Sequence, residues 1–85
     1  MRAVTPVPPT GTGRWSVQVA AYVVRGDALR LAARLAARGY DSRVTVDKPY
    51  RVRIGRFADR AAAVDVVARL KAEQTPAIIV EAERQ

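Results

Sequence analysis

Gln18, Arg51 and Arg53 are polar side chains at alternating positions of two apolar stretches, placed for hydrogen bonding to a ligand. Gln18 lies in the stretch WSVQVAAY (Trp15 to Tyr22) and the two arginines in YRVRIGRF (Tyr50 to Phe57). In both stretches small or polar side chains alternate with apolar ones, the period of a half-buried strand. Val17 and Val19 mark one face of the first strand, and Val52 and Ile54 one face of the second. Ser16, Gln18 and Ala20, with Arg51, Arg53 and Gly55, mark the opposite face. That set has no reason to be in a core, so function is sought there, and its chemistry is noncovalent recognition. The planar fork of arginine donates two parallel hydrogen bonds to a carboxylate, and a glutamine amide donates and accepts at once.

Catalysis is disfavoured. The chain has no histidine and no cysteine, which removes the commonest metal ligand, the usual neutral-pH base and any disulfide framework or thiolate site. Asp27, Asp41, Asp47, Asp59 and Asp65 fall in turns, at caps or on helix faces. No pair of them reads as an acid and base at glycosidase separation, and no nucleophile stands beside a base. No enzyme activity, metal or cofactor is expected.

Eighty-five residues allow one domain. A core of this size removes roughly 60% of the unfolded chain's surface from water. Fifteen basic and eight acidic residues give a formal charge of +7. That excess either favours an anionic partner through long-range attraction or reflects an arginine- and alanine-rich usage. No apolar run approaches the ~20 residues of a membrane span, and the start lacks the pattern of a secretory signal. This domain is therefore expected to make no membrane contact and, isolated, to be monomeric. If it works outside the cytoplasm, its export signal or anchor lies outside this chain.

Residues 1–13 (MRAVTPVPPTGTG) are rich in proline and glycine and lack periodicity, and are expected to be a linker. The domain is expected over 14–82 and a polar tail over 83–85. After the first strand, Val23 to Gly26 reads as a turn and Asp27 to Arg38 as a helix with the stripe Ala28, Leu31, Ala32 and Leu35. Gly39 is its expected left-handed terminus. Asp41 to Val46 reads as a short strand, with Val44 and Val46 inward and Arg43 and Thr45 outward. Asp47, Lys48 and Pro49 turn into the central strand. Asp59 is a candidate N-cap for a helix to about Ala72, which Thr75 and Pro76 stop, and Ala77 to Val80 forms a last strand.

An internal repeat with an offset of 35 superposes Val17 on Val52, Val19 on Ile54, Tyr22 on Phe57 and Leu35 on Leu70. The order is βαβ twice. Two such units predict an α+β, βαββαβ ferredoxin-like or RNP-like fold, a four-stranded antiparallel sheet with two helices on one face. The other face is uncovered. The repeat sends Ala77 and Ile79 inward and Ile78 and Val80 outward, although so short an edge strand slips easily by one.

Several of these residues resemble a family. The run Val17-Gln18-Val19-Ala20-Ala21-Tyr22, the Asp27-Ala28 pair, helical Leu31 and Leu35, and Tyr50-Arg51-Val52-Arg53-Ile54-Gly55-Arg56-Phe57 together resemble the SPOR (sporulation-related repeat) domain. The resemblance covers residue 15 to about residue 81. It implies binding to bacterial cell-wall peptidoglycan, to glycan strands stripped of stem peptides, and so delivery of an attached envelope protein to septal or remodelled wall. It also implies a location in the cell envelope, whether periplasm or wall. Carried over by motif position, it implies glycan contacts at Gln18, Asp27 and Arg51, with Arg53 and Tyr22 as further candidates. Ala20 departs from the family's usual glycine.

Plainer roles stand beside these. Asp27 as an N-cap would commit its carboxylate to backbone amides. Trp15 and Tyr50 share parity with the core valines and are expected to pack against the helix ends. Arg30, Arg34 and Arg38 suit a solvated helix face, and Arg43 suits an edge guard against aggregation. The alternative function is a nucleic-acid-binding RNP-like module. Such modules stack bases on aromatics at the centre of the two middle strands, where this chain has Ser16, Gln18, Arg51 and Arg53. A protein-interaction module using the sheet edge or Ile78 and Val80 is the third reading.

Overall fold

The computed structural model describes residue 11 and residues 13–83. The chain runs through β1 (Trp15–Tyr22), α1 (Arg25–Ala37), β2 (Ser42–Val44), β3 (Tyr50–Phe57), α2 (Arg60–Ala72) and β4 (Ile78–Glu81). Most of the proposed linker, residues 1–10 and 12, lies outside the described residues. Gly11 and Gly13 both donate their N–H to the Arg56 carbonyl, at 3.0 and 3.2 Å. A Cβ on Gly13 would stand 2.1 Å from the Phe57 carbonyl carbon, so only glycine lets this backbone lie against the end of β3.

All strand pairings are antiparallel, β1 with β3, β1 with β4 and β2 with β3. The order is β2-β3-β1-β4, which is the predicted βαββαβ sheet. Val17, Val52, Ile54 and Phe57 from the strands meet Ala28, Leu35, Ala63, Val66 and Leu70 from the helices, all of them buried. Burying each of the larger side chains contributes about 1.5–3 kcal/mol, and this apolar layer holds both helices to one face of the sheet. Trp15 and Tyr50 pack against its rim, as their parity requires.

The two halves end their helices alike. In α1 the Gly39 N–H donates to the Ala36 carbonyl and the Tyr40 N–H to the Leu35 carbonyl, with Gly39 at φ 93°. In α2 the Gln74 N–H donates to Lys71 and the Thr75 N–H to Leu70, with Gln74 at φ 61°. Both are Schellman ends. Gln74, rather than Thr75 and Pro76, therefore turns the chain out of the second helix. Tyr40, Arg38 and Glu73 tie the two ends together: the Tyr40 hydroxyl donates to Glu73 at 3.0 Å and Arg38 pairs with it at 3.2 Å. Burial first, then this hydrogen bond, pushes the Tyr40 phenol above its ordinary value.

Element edges differ from expectation in α1, β2 and β4, and the cap of α2 differs in its chemistry. Helix α1 begins at Arg25 with Val24 as its N-cap, no side chain capping it, so Asp27 lies within the first turn instead of ahead of it. Asp59 occupies the N-cap of α2 but its carboxylate caps nothing. Strand β2 stops at Val44, and Val46, expected inward, is 88% exposed in the turn that leads to the cis Lys48–Pro49 bond. Strand β4 begins one residue later than expected and includes Glu81.

Two bulges decide which side chains reach the uncovered face. Between Val17↔Ile54 and Trp15↔Phe57, β3 has one residue more than β1; between Gln18↔Arg53 and Ala20↔Val52, β1 has one more than β3. Gly55 makes the first bulge at φ 67°, a left-handed conformation that favours glycine. The bulges are related by the 35-residue repeat, since Val19-Ala20 superposes on Ile54-Gly55. Each reverses the parity of the strand beyond it. Ala20, expected outward, pairs with buried Val52, and Ala21 takes the outward position opposite Arg51. On β3 the reversal turns Arg56 outward and Phe57 into the core.

Candidate functional site

The face of the sheet away from the helices carries a continuous row across all four strands. Ile78 on β4 stands opposite Gln18 on β1, Gln18 opposite Arg53 on β3, and Arg53 opposite Arg43 on β2. Ile78 is 58% exposed, which settles the facing of β4: Ile78 lies outward, while Ala77 and Ile79 pack on the core. Two grooves flank the Gln18 and Arg53 side chains. One, of about 440 Å³, is lined by Val44, Thr45, Arg51, Arg53 and Glu83, with Val46 and Asp47 at its lip. The other, of about 300 Å³, is largely apolar and runs along Val19, Ala20, Pro76, Ala77 and Ile78, with Gln18 at its wall.

Gln18 and Arg53 form one unit. The Gln18 Oε1 accepts from Arg53 Nε at 3.2 Å and from Nη2 at 3.1 Å. Because a guanidinium only donates, this fixes which end of the amide faces Arg53 and leaves the Gln18 NH₂ to donate outward. Arg51 is held differently. Its backbone N–H donates to Thr45 Oγ1 at 2.9 Å and its carbonyl accepts from the Thr45 N–H at 3.0 Å, locking the β2–β3 turn. Its guanidinium meets no carboxylate among the described residues, so it stands in the groove with its charge uncommitted.

At the other end of the row a residue outside the strand pattern takes part. Glu83, expected in the tail, lies on the sheet face with its carboxylate among three arginines. Arg43 clamps it with two prongs, Nε to Oε2 at 2.8 Å and Nη2 to Oε1 at 2.9 Å. Arg53 Nη1 reaches Oε1 at 3.0 Å and Arg56 Nη2 reaches Oε2 at 3.4 Å. Arg56 also donates to the Glu83 carbonyl at 2.5 Å. Hydrogen bonding from Arg43 is the main reason the Glu83 carboxyl is lowered to about 2, with Arg53 assisting; partial burial works the other way.

Arg43 therefore is no edge guard. It reaches back over the sheet to the Gly55 carbonyl at 2.9 Å and to Ser16 Oγ at 3.2 Å. Ser16, expected on the open face, is consequently buried, and its hydroxyl donates to the Ile54 carbonyl at 3.1 Å. Among the described residues no buried side-chain nitrogen or oxygen lacks a partner.

Of the residues singled out in the sequence, Gln18, Arg51 and Arg53 come together on this face. Tyr22 does not join them: the β1 bulge brings it opposite Tyr50 and packs it on the core side. Asp27 belongs to the helix layer, its carboxylate paired with Arg30 one turn on. Arg43, Arg56 and Glu83 were missed as members of the cluster. Arg56 has the wrong parity unless the Gly55 bulge is foreseen, though that glycine in a strand was a visible signal. Glu83 lies past the last periodic segment, and nothing in its surroundings announces a partner.

No group of acidic residues among the described ones is arranged to hold a metal ion, and no described helix is long and apolar enough to cross a membrane.

The sequence model of the SPOR domain family matches residues 11–81. Among solved structures, the chain is similar to the solution structure of the peptidoglycan-binding domain of the B. subtilis cell wall lytic enzyme CwlC. The two are 32% identical with a TM-score of 0.73, over 88% of this chain and 96% of that one. No curated protein matches the chain.

Proposed function

The chain belongs to the SPOR domain family, and we propose that it is a noncatalytic module that binds peptidoglycan through the uncovered face of its sheet. The ligand is the glycan strand stripped of stem peptides, and the role is delivery of an attached envelope protein to wall under remodelling, the division septum included. The similar domain of CwlC is named for peptidoglycan binding, which supports the ligand class. The observation that carries the reading is the row Ile78, Gln18, Arg53 and Arg43, with the guanidinium of Arg51, which meets no carboxylate among the described residues, beside it.

Such a row matches stripped glycan in kind. Removing a stem peptide frees the lactyl carboxylate of each muramic acid, so the strand becomes a polyanion studded with hydroxyls and acetamido groups. Arg51 offers the planar fork a carboxylate takes. Gln18, its carbonyl occupied by Arg53, offers two N–H donors to acetamido or hydroxyl oxygens. Ile78 and the apolar groove offer a surface for the flat face of a sugar ring. The row holds no aromatic, and base stacking is what an RNA-binding sheet of this fold needs.

Cosedimentation with intact sacculi tests this, before and after an amidase strips the stem peptides. Binding is expected to increase on stripping and to survive moderate salt. Indifference to stripping, or complete loss in salt, would reduce the face to nonspecific positive charge.

A further inference from the structure

We propose that Arg43, Arg53 and Arg56 form a carboxylate subsite of this face, and that Glu83 is an internal competitor which the lactyl carboxylate of a stripped glycan displaces. The inference rests on the reading that this face takes peptide-free glycan. Arg43 and Arg53 are direct cross-strand neighbours, a like-charge pairing that destabilises a sheet unless an anion lies between. Glu83 supplies that anion, with the bidentate geometry a ligand carboxylate would use. One carboxylate against three guanidiniums still leaves the site positive, so it remains attractive to a second anion.

Glu83 also lies where a competitor must. It lines the same groove as Arg51 and Arg53, so a strand seated on those residues meets it. Its backbone, too, is not part of the sheet ladder. The last backbone hydrogen bond before it joins the Ala82 N–H to the Arg14 carbonyl at 2.7 Å. Beyond that point Glu83 is held by arginine side chains alone among the described residues. The group that holds the tail down is thus the group a glycan carboxylate would recruit, and binding one releases the other. The apparent affinity is thereby scaled down by the fraction of molecules with the tail undocked.

The test compares the full chain with its Glu83→Gln variant on amidase-stripped and on unstripped sacculi. The variant is expected to bind stripped sacculi more tightly, on the order of tenfold, with no gain on unstripped wall, where the lactyl group is an amide. Equal or weaker binding by a folded variant overturns the competition while leaving glycan recognition standing. An equal gain on both sacculi overturns the lactyl assignment, and binding by neither chain overturns this inference together with the function it rests on. A second measurement needs no variant. When the wild-type chain is saturated with solubilised stripped glycan, the Glu83 carboxyl, followed by carbon NMR, is expected to titrate near its ordinary 4.5 instead of about 2. An unchanged titration overturns displacement.

Discussion

At the scale of single residues, Arg51 and Arg53 sit two apart on one strand yet differ in their engagements. Arg53 is engaged with Gln18 and Glu83, whereas the Arg51 side chain has no carboxylate partner among the described residues. Arg51→Ala should therefore leave the urea midpoint nearly unchanged, within ~0.5 kcal/mol. Loss of charge-assisted hydrogen bonds worth about 1.5–3 kcal/mol should weaken binding to stripped sacculi ten- to a hundredfold. Unaltered binding by the folded variant would remove Arg51 from the site. Glu83 carries the opposite expectation, about stability. Its carboxyl is lowered from 4.5 to about 2 in the folded chain, so its contribution is present above pH 4.5 and disappears as pH falls through 2. With the side chain 30% exposed, solvent screening reduces that contribution to about 1–2 kcal/mol. The stability gap between wild type and Glu83→Gln should hold that value at pH 6 and close towards pH 2 in paired urea titrations. A gap that persists at pH 2 would assign the difference to packing.

At the scale of elements, periodicity made the strands, the helices and the facing of Val17, Val52 and Ile54 legible, because burying one face imposes period two on a strand. It could not supply the bulges. The β1 bulge carries no glycine, yet it moved Ala20 and Tyr22 towards the core; Gly55 marks the β3 bulge, but the apolar period does not show that it turns Arg56 away from the core. The helix ends divide in the same way. Gly39 announced its left-handed turn; Gln74, its equivalent in the repeat, takes the same conformation without the residue that favours it. A non-glycine residue there costs roughly 1–2 kcal/mol, part of which glycine returns as unfolded-state entropy. Gln74→Gly should raise stability by about 0.5–1 kcal/mol in chemical denaturation, and a loss would show that the Gln74 side chain holds something down. Gly55→Ala should do the reverse. The bulge has φ 67°, so alanine should cost about 1–2 kcal/mol. It should also disturb Arg43, which donates to the Gly55 carbonyl at 2.9 Å and is the main cause of the lowered Glu83 carboxyl, readable as a rise in the titration midpoint of that carboxyl.

At the scale of the whole molecule, the question is whether the charge of +7 or the arrangement of a few groups selects the ligand. The charge was legible from composition, but its distribution was not. Three of the arginines are drawn into one cluster around Glu83, and others, such as Arg14, Arg30 and Arg38, are engaged in surface pairs. Attraction from the remaining spread charge decays over about 8 Å at physiological ionic strength and about 3 Å at 1 M. Close hydrogen-bonded contacts between partly buried groups are screened far less. The two contributions therefore separate on a salt axis. Wild-type binding to stripped sacculi should fall by no more than about tenfold between 0.15 and 0.5 M sodium chloride. The Gln18→Ala, Arg51→Ala double variant, which loses one formal charge of the seven, should keep weak binding at low salt and lose it at 0.5 M. If both chains lost binding in parallel, net charge would be the whole attraction. If only the double variant did, the geometry of the Gln18 and Arg51 face would be what converts a basic surface into a glycan receptor.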